Sequence, residues 1–171
     1  PTPPPRLLRR QRQMCIRDSL IAVAAIGAVF AIGMRTKYPP VTTAVRRMNR
    51  KVMNPRAMKT AGTPGAFAGI IRHVGRTSGT EYETPIGPYA SGDGFVVALP
   101  YGTSPDWLKN LMAAGSAVIV HEGKTYTVDQ PEIIDTAEAL EDVPPGEQTS
   151  LRVFNINEFL RVRVVDAGTA E

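Results

Sequence analysis

Apolar and polar positions divide this chain into three regimes. Residues 20–34 are uncharged and apolar on every face, which predicts a helix about 22 Å long at about 1.5 Å per residue. Over residues 39–52 the apolar positions Val41, Ala44, Val45, Met48 and Val52 recur at helical spacing behind Pro39 and Pro40. The opposite face of that helix is Arg46, Arg47, Arg50 and Lys51. Asn54-Pro55 is expected to end it, and residues 61–64 read as loop. From residue 66 onward, short β-branched and apolar runs bounded by glycine and proline predict six strands, over 66–74, 81–89, 95–100, 117–121, 124–129 and 159–166. Ser91-Gly92-Asp93-Gly94 and Glu122-Gly123-Lys124 are hairpin turns. One helix interrupts the strands over 104–114. Ser104 is its N-cap, Pro105 its first helical residue, Leu108, Leu111 and Met112 its apolar face, and Gly115 its stop. Residues 131–140 predict a second short helix, followed by a loop at Pro144-Pro145-Gly146. There is no internal repeat. The expected architecture is α+β and mainly β: a small antiparallel barrel with a few helices behind an N-terminal apolar helix.

Charge separates the same regions. Residues 1–60 hold thirteen of the twenty basic residues and one of the sixteen acids, Asp18. A basic arm therefore precedes a mildly acidic body, and the sequence pI of about 9.5 describes neither. Such an arm suits a nucleic acid or an anionic membrane. It lacks the interleaved aromatics on which single-stranded nucleic acids stack, so no nucleic-acid partner is expected. The apolar segment is short for a hydrocarbon core that takes about 20 residues. It fits a membrane anchor, an uncleaved signal-like segment or a helix buried in the fold. The cations after it favour a cytoplasmic-face orientation at the cell membrane, with a cytoplasmic protein the alternative.

Residues 1–19 stand apart. Met14-Cys15-Ile16-Arg17-Asp18-Ser19 matches the translation of a transposon-adapter end used in DNA library preparation. We expect 1–19 to be a non-native or disordered extension, 20–60 an apolar and basic arm, and 61–171 the barrel domain. Without Cys15 the chain has no cysteine, which removes disulfides, a thiol nucleophile and cysteine-bound metal. His73 and His121 lie on separate predicted strands, so they are assigned structural or solvated roles, and no metal site is expected.

Two stretches carry candidate chemistry. In the first, Gly75-Arg76-Thr77-Ser78-Gly79 joins two strand-like runs. Its glycines permit a tight turn, and a guanidinium, two hydroxyls and free N–H groups converge there on space for an anion. An ordinary hairpin corner with a solvated arginine fits the same residues. In the second, Tyr101-Gly102-Thr103-Ser104-Pro105-Asp106-Trp107-Leu108-Lys109-Asn110, a strand delivers the chain to a glycine loop and a helix N-terminus, where unpaired N–H groups favour anions or carbonyl-rich rings. Core packing for Trp107 and a helix-dipole role for Asp106 are the plain alternatives. No Walker, dinucleotide-binding or nucleophile-elbow pattern occurs.

Together these blocks resemble the deazaflavin-dependent nitroreductase family, a coenzyme F420-using branch of the split β-barrel flavoproteins. The similarity runs over about 36–166 through Asn54-Pro55, the Gly75–Gly79 turn, Thr84-Pro85, the Asp106–Asn110 block and Gly115. It implies a split β-barrel. It implies that Gly75, Arg76, Thr77, Ser78 and Gly79 bind the coenzyme's phosphate and acidic tail, and that Thr84 and Pro85 line the path to the ring. Tyr101, Gly102, Asp106, Trp107, Lys109 and Asn110 would face the ring and ribityl chain. The implied chemistry is hydride transfer to a quinone or a nitro compound, with Tyr101, another hydroxyl or solvent as proton source. A membrane-associated N-terminal helix and a homodimer are further implications. A non-catalytic deazaflavin- or flavin-binding storage module and an FMN-dependent reductase of the same barrel class stay open. Two departures from the family pattern matter. Thr77 stands where Lys or Arg is usual, with Glu81 and Glu83 nearby, so the grip is lighter or relies on Arg72. No tyrosine follows Tyr126, so a late aromatic wall would come from Phe154 or Phe159.

Overall fold

The computed structural model of the chain describes residues 6–169. Of the expected extension over 1–19, residues 1–5 lie outside the described residues. Helix α1, Arg6–Arg35, is followed by α2, Pro39–Met48, a π-helical turn over Asn49–Met53, and α3, Asn54–Ala57. The helical path thus continues through Asn54-Pro55, where the sequence predicted a stop. Pro55 follows closely on the π-helical turn, so the irregular turn and the proline coincide.

Seven strands form one antiparallel sheet: β1 Gly69–Val74, β2 Glu81–Ile86, β3 Pro88–Ser91, β4 Gly94–Ala98, β5 Ser116–His121, β6 Lys124–Asp135 and β7 Glu158–Thr169. Their order is β2-β1-β5-β6-β7-β4-β3. The single strand expected over 81–89 is therefore two, β2 and β3, parted by Gly87. These two occupy opposite ends of the strand order yet are joined by one residue, which spans at most about 7 Å between flanking Cα atoms. The sheet must curl until its first and last strands nearly meet. The result is an α+β fold built on a curled antiparallel half-barrel, with several helices and one N-terminal apolar helix.

The other corrections have equally local causes. The helix expected over 131–140 is mostly strand. β6 continues to Asp135, pairing Ile133 with Leu160 and Ile134 with Phe159 after an irregularity between Asp129 and Glu132. That bulge absorbs Gln130, at φ 50°, and Pro131, which cannot donate to a regular ladder. Only α5, Thr136–Ala139, is helical there, capped by Asp135 Oδ1 accepting from the backbone N–H of Ala137 and Glu138. The loop expected at Pro144-Pro145-Gly146 opens α6, Pro145–Val153, with proline in its first turn. α4, Asp106–Ala114, begins one residue beyond Pro105, which is itself the N-cap; Ser104 Oγ instead donates to the Tyr101 carbonyl.

Alternation along the strands gives the sheet two apolar faces. Phe95, Val97, Leu160 and Val162 point into the curl with Ile71, Ile119 and Val128, and α4 fills that space with Leu108 and Leu111. Val96, Phe159 and Ile134 point the other way, into a second cluster closed by Ala139, Val143 and Leu151 from α5, α6 and the turn between them. α1 meets the body near its C-terminus. There Phe30 contacts Phe154 edge-on, and Arg35 Nη1 donates to the Arg152 carbonyl at 3.0 Å. Its Asp18–Arg35 window is long and apolar enough to cross a membrane, with mean hydropathy 1.7, and 11% of it is buried. Of the three expectations for this segment, burial within the fold is not what the structure adopts.

Candidate functional site

The β1–β2 hairpin ends in the loop 75–80. Gly75 N–H donates to the Thr80 carbonyl and Gly79 N–H to the Gly75 carbonyl, each at 2.8 Å. Gly79 has φ +66°, which favours glycine, and a Cβ on Gly75 would lie 2.4 Å from Ser78 Oγ and 2.9 Å from the Tyr82 ring, so those side chains would have to shift. Ser78 Oγ accepts from Thr80 N–H at 3.3 Å and lies 3.4 Å from the Tyr82 hydroxyl. Its oxygen thus takes part in the turn, and Ser78 and Thr77 are both exposed.

α4 packs against this turn. Its inner face sinks Leu108 and Leu111 into the core, and Gly115, at φ 74°, ends it with an N–H to the Leu111 carbonyl. Immediately before Leu111, Asn110 is buried although polar, at 5% exposure. Its Oδ1 accepts from Arg76 Nη1 at 2.8 Å and from the Arg76 backbone N–H at 3.2 Å. Arg76 Nη2 lies 3.3 Å from Asp106 Oδ1, a mostly exposed pair. Asn110 Nδ2 faces His73 Nδ1 at 3.1 Å, and His73 Nε2 lies 3.2 Å from Thr84 Oγ1. The imidazole stacks on Tyr82, with ring centroids 5.7 Å apart. Burial lowers the His73 pKa below its ordinary 6.5, so the neutral ring is favoured. A continuous polar path therefore runs Thr84–His73–Asn110–Arg76–Asp106.

Beside this path is an open cavity of about 400 Å³ lined by Arg76, Thr103, Leu108, Lys109, Met112 and Ile133. Two cations and a hydroxyl share it with three apolar side chains. That donor set fits an anionic group attached to a flatter apolar one, which is the chemistry of a deazaflavin or flavin nucleotide.

The expected site residues do not all gather here. Arg76, Asp106, Lys109 and Asn110 come together. Thr84 joins from the interior through His73, and half-buried Pro85 follows it on β2. Trp107 packs on the inner core. Tyr101 stands apart, its hydroxyl accepting from Asn49 Nδ2 at 2.5 Å. Burial raises its pKa, and the nearby Arg46 charge only partly opposes this. Gly102, at φ +65°, turns the chain beneath the Lys37–Glu158 pair. Arg72 is bound to Glu83 at 2.9 Å across the β1–β2 ladder, so it cancels one of the two flanking acids. Phe159 is fully buried in the outer cluster and Phe154 meets Phe30; Met112 and Ile133 form the cavity's apolar wall instead. Thr103, Met112 and Ile133 were not among the expected site residues. Thr103 sat within the second stretch, whereas Ile133 came from a segment read as helix. His73, expected to be structural or solvated, is buried and bonded.

Among the described residues no group of three or more His, Cys, Asp or Glu could hold a metal ion. No family model matches the chain, and no curated protein matches it. Solved structures do resemble it. One titled "F420 Reductase" aligns at TM-score 0.45 and 11% identity over 64% of this chain and 94% of its own. A conserved hypothetical protein from Mycobacterium tuberculosis aligns at 0.45 and 12% over 60% and 76%. A structure titled "F420-H2 Dependent Reductase" aligns at 0.42 and 15% over 57% and 94%. At such scores and identities these likenesses do not decide what the site binds; the chain's own residues have to.

Proposed function

We propose that the chain is a membrane-associated oxidoreductase that binds a coenzyme of the F420 deazaflavin type beside Arg76 and Lys109. Its acceptor is electron-poor, a quinone or a nitro compound. The observation that carries this reading is the pairing of Arg76 and Lys109 with Leu108, Met112 and Ile133 around one open cavity. The blocks that resemble deazaflavin-dependent reductases supply the cofactor class. When bound, the reduced coenzyme supplies the hydride, and the protein contributes orientation and water exclusion. In this reading Arg76 and Lys109 hold the anionic portion, while the three apolar side chains give the ring a dry wall. Thr103 is the hydroxyl on the cavity. Asp106 limits the grip, because an incoming anion competes with it for Arg76 Nη2.

The test uses the purified full chain in detergent. Titration with the oxidised deazaflavin and with FMN, side by side, should show preference for the deazaflavin, and menadione should reoxidise the reduced coenzyme faster than in protein-free buffer. Binding of neither would remove the reading. A second reading, a binding or storage module, is favoured by the placement of Tyr101 against Asn49 and outside the lining of the cavity, where its hydroxyl does not border the proposed ring site. Tight deazaflavin binding with background reoxidation would select it.

A further inference from the structure

Arg76 is held on α4 by the exposed Asp106 carboxylate and by one buried amide, Asn110, and that amide has two faces. Asn110 Oδ1 meets two donors of Arg76, the backbone N–H and Nη1. Its Nδ2 is therefore turned to His73 Nδ1 at 3.1 Å. An NH₂ group only donates, so His73 Nδ1 must present a lone pair, and the ring proton sits on Nε2, directed at Thr84 Oγ1. The orientation of the amide, and with it the placement of Arg76, depends on the protonation state of a buried imidazole.

We propose that His73 is a positioning residue for the anion site: neutral, it keeps Asn110 Oδ1 towards Arg76, and protonated, it turns the amide and breaks both bonds from Arg76 to Asn110, leaving Asp106 as the contact of the guanidinium on α4. The inference rests on reading Arg76 as an anion-holding cation. A proton on Nδ1 would oppose the two hydrogens of Asn110 Nδ2. Rotating the amide by half a turn relieves that clash, because Oδ1 then accepts from Nδ1–H. The same rotation sets Nδ2 against the backbone N–H and Nη1 of Arg76, and both bonds are lost. Charge acts in the same direction. The elements around the ring carry Tyr82, Glu81 and Glu83 on β2, Arg76 on the turn, and Asp106 and Lys109 on α4. Glu83 is taken by Arg72 and Asp106 by Arg76. The paired β5 residues Val118, Ile119 and Val120 are uncharged. An imidazolium would therefore add a second positive charge near Arg76, while burial keeps the ring neutral at neutral pH.

Nitrogen-15 NMR of the full chain in detergent micelles, without coenzyme, tests this. At pH 7.5 His73 should be the Nε2–H tautomer, and the Arg76 backbone amide and guanidinium should be protected from solvent exchange. Both Arg76 signals should lose protection with the midpoint of the imidazole titration, below pH 6.5. An Nδ1–H tautomer, or Arg76 protection unchanged through that titration, would overturn the proposal. Asn110→Asp supplies a second arm. A carboxylate accepts from protonated His73 and from Arg76 together, so protection should persist to lower pH than in the parent; loss at the parent's midpoint would refute the coupling. These signals do not need coenzyme binding, so they stand or fall apart from the proposed activity. Where deazaflavin binds, its affinity should drop roughly tenfold or more across the same midpoint, as expected for a lost charged hydrogen bond.

Discussion

Arg76 shows how one residue can satisfy two accounts at once. It is a corner arginine, bound to its own protein, and it also borders a cavity. Replacing it with alanine should weaken binding of an anionic deazaflavin by about 1.5–3 kcal/mol, the usual range for a charged hydrogen bond. Unchanged affinity by isothermal titration would make it an ordinary hairpin arginine. Asp106→Asn should act oppositely and more weakly. The pair is largely exposed, so freeing Arg76 should tighten anion binding by at most about 1 kcal/mol. The two histidines give a residue-scale signature of their own. Burial lowers both pKa values from 6.5, with Glu122 partly opposing the shift at His121. The unfolded chain therefore takes up protons first as pH falls. The stabilisation is complete above 6.5 and is lost as pH falls through the folded-state values. Urea midpoints should be lower at pH 5 than at pH 7.5, and equal midpoints would show that neither ring is held neutral.

Among the elements, α4 does two jobs. Its inner face fills the curl and its outer face presents Asp106, Lys109 and Met112. Leu111 is fully buried between them, so Leu111→Ala should cost about 2–5 kcal/mol in chemical denaturation and disturb the Arg76 contacts with it. Gly94 shows a different constraint. A Cβ there would lie 1.9 Å from the Val162 carbonyl oxygen, with no flexible side chain to move aside. Gly94→Ala should destabilise by about 1–3 kcal/mol through overpacking at the β4–β7 pair, and a denaturation midpoint like the parent's would contradict that close approach. The elements most plainly written in the sequence were local. The two hairpin turns pair Ser91 with Gly94 and His121 with Lys124, as their glycines predicted. The 131–135 segment was not legible. Proline and a short apolar run suggested a helix start there, and only pairing with β7, remote in sequence, makes it a strand.

For the whole molecule, the basic arm and the curled sheet are distinct in chemistry and joined by polar side-chain contacts. Arg46 Nη1 donates to Ser104 Oγ, Asn49 meets Tyr101, and Lys37 meets Glu158. The arm thus grips the loop that leads into α4. The proposed membrane seat depends on α1, where Ile26 and Val29 are among the exposed apolar residues. Lysine at both positions should cost about 2.5–3.5 kcal/mol each at the centre of a bilayer. The double variant should move from the alkali-resistant membrane fraction to the soluble one, and retention in the membrane would place the anchor elsewhere.

By itself the sequence determined the apolar helix, the basic arm, the hairpin corners, and the glycines and cations of the two candidate stretches. These depend on residue type and spacing within a few positions, so they can be recognised without knowing what packs against them. Tertiary structure alone decided that the 81–89 run splits at Gly87 and draws both sheet edges together, because that follows from which strands pair. It also decided that Asn110 lies between Arg76 and His73 and bonds to both. Those side chains are separated by 34 and 37 positions in the chain, and only the docking of α4 on the β1–β2 turn gives the amide its two partners. In the sequence the corner fits either an anion grip or an ordinary hairpin; in the fold its arginine joins a polar path that runs from buried His73 and Asn110 out to exposed Asp106.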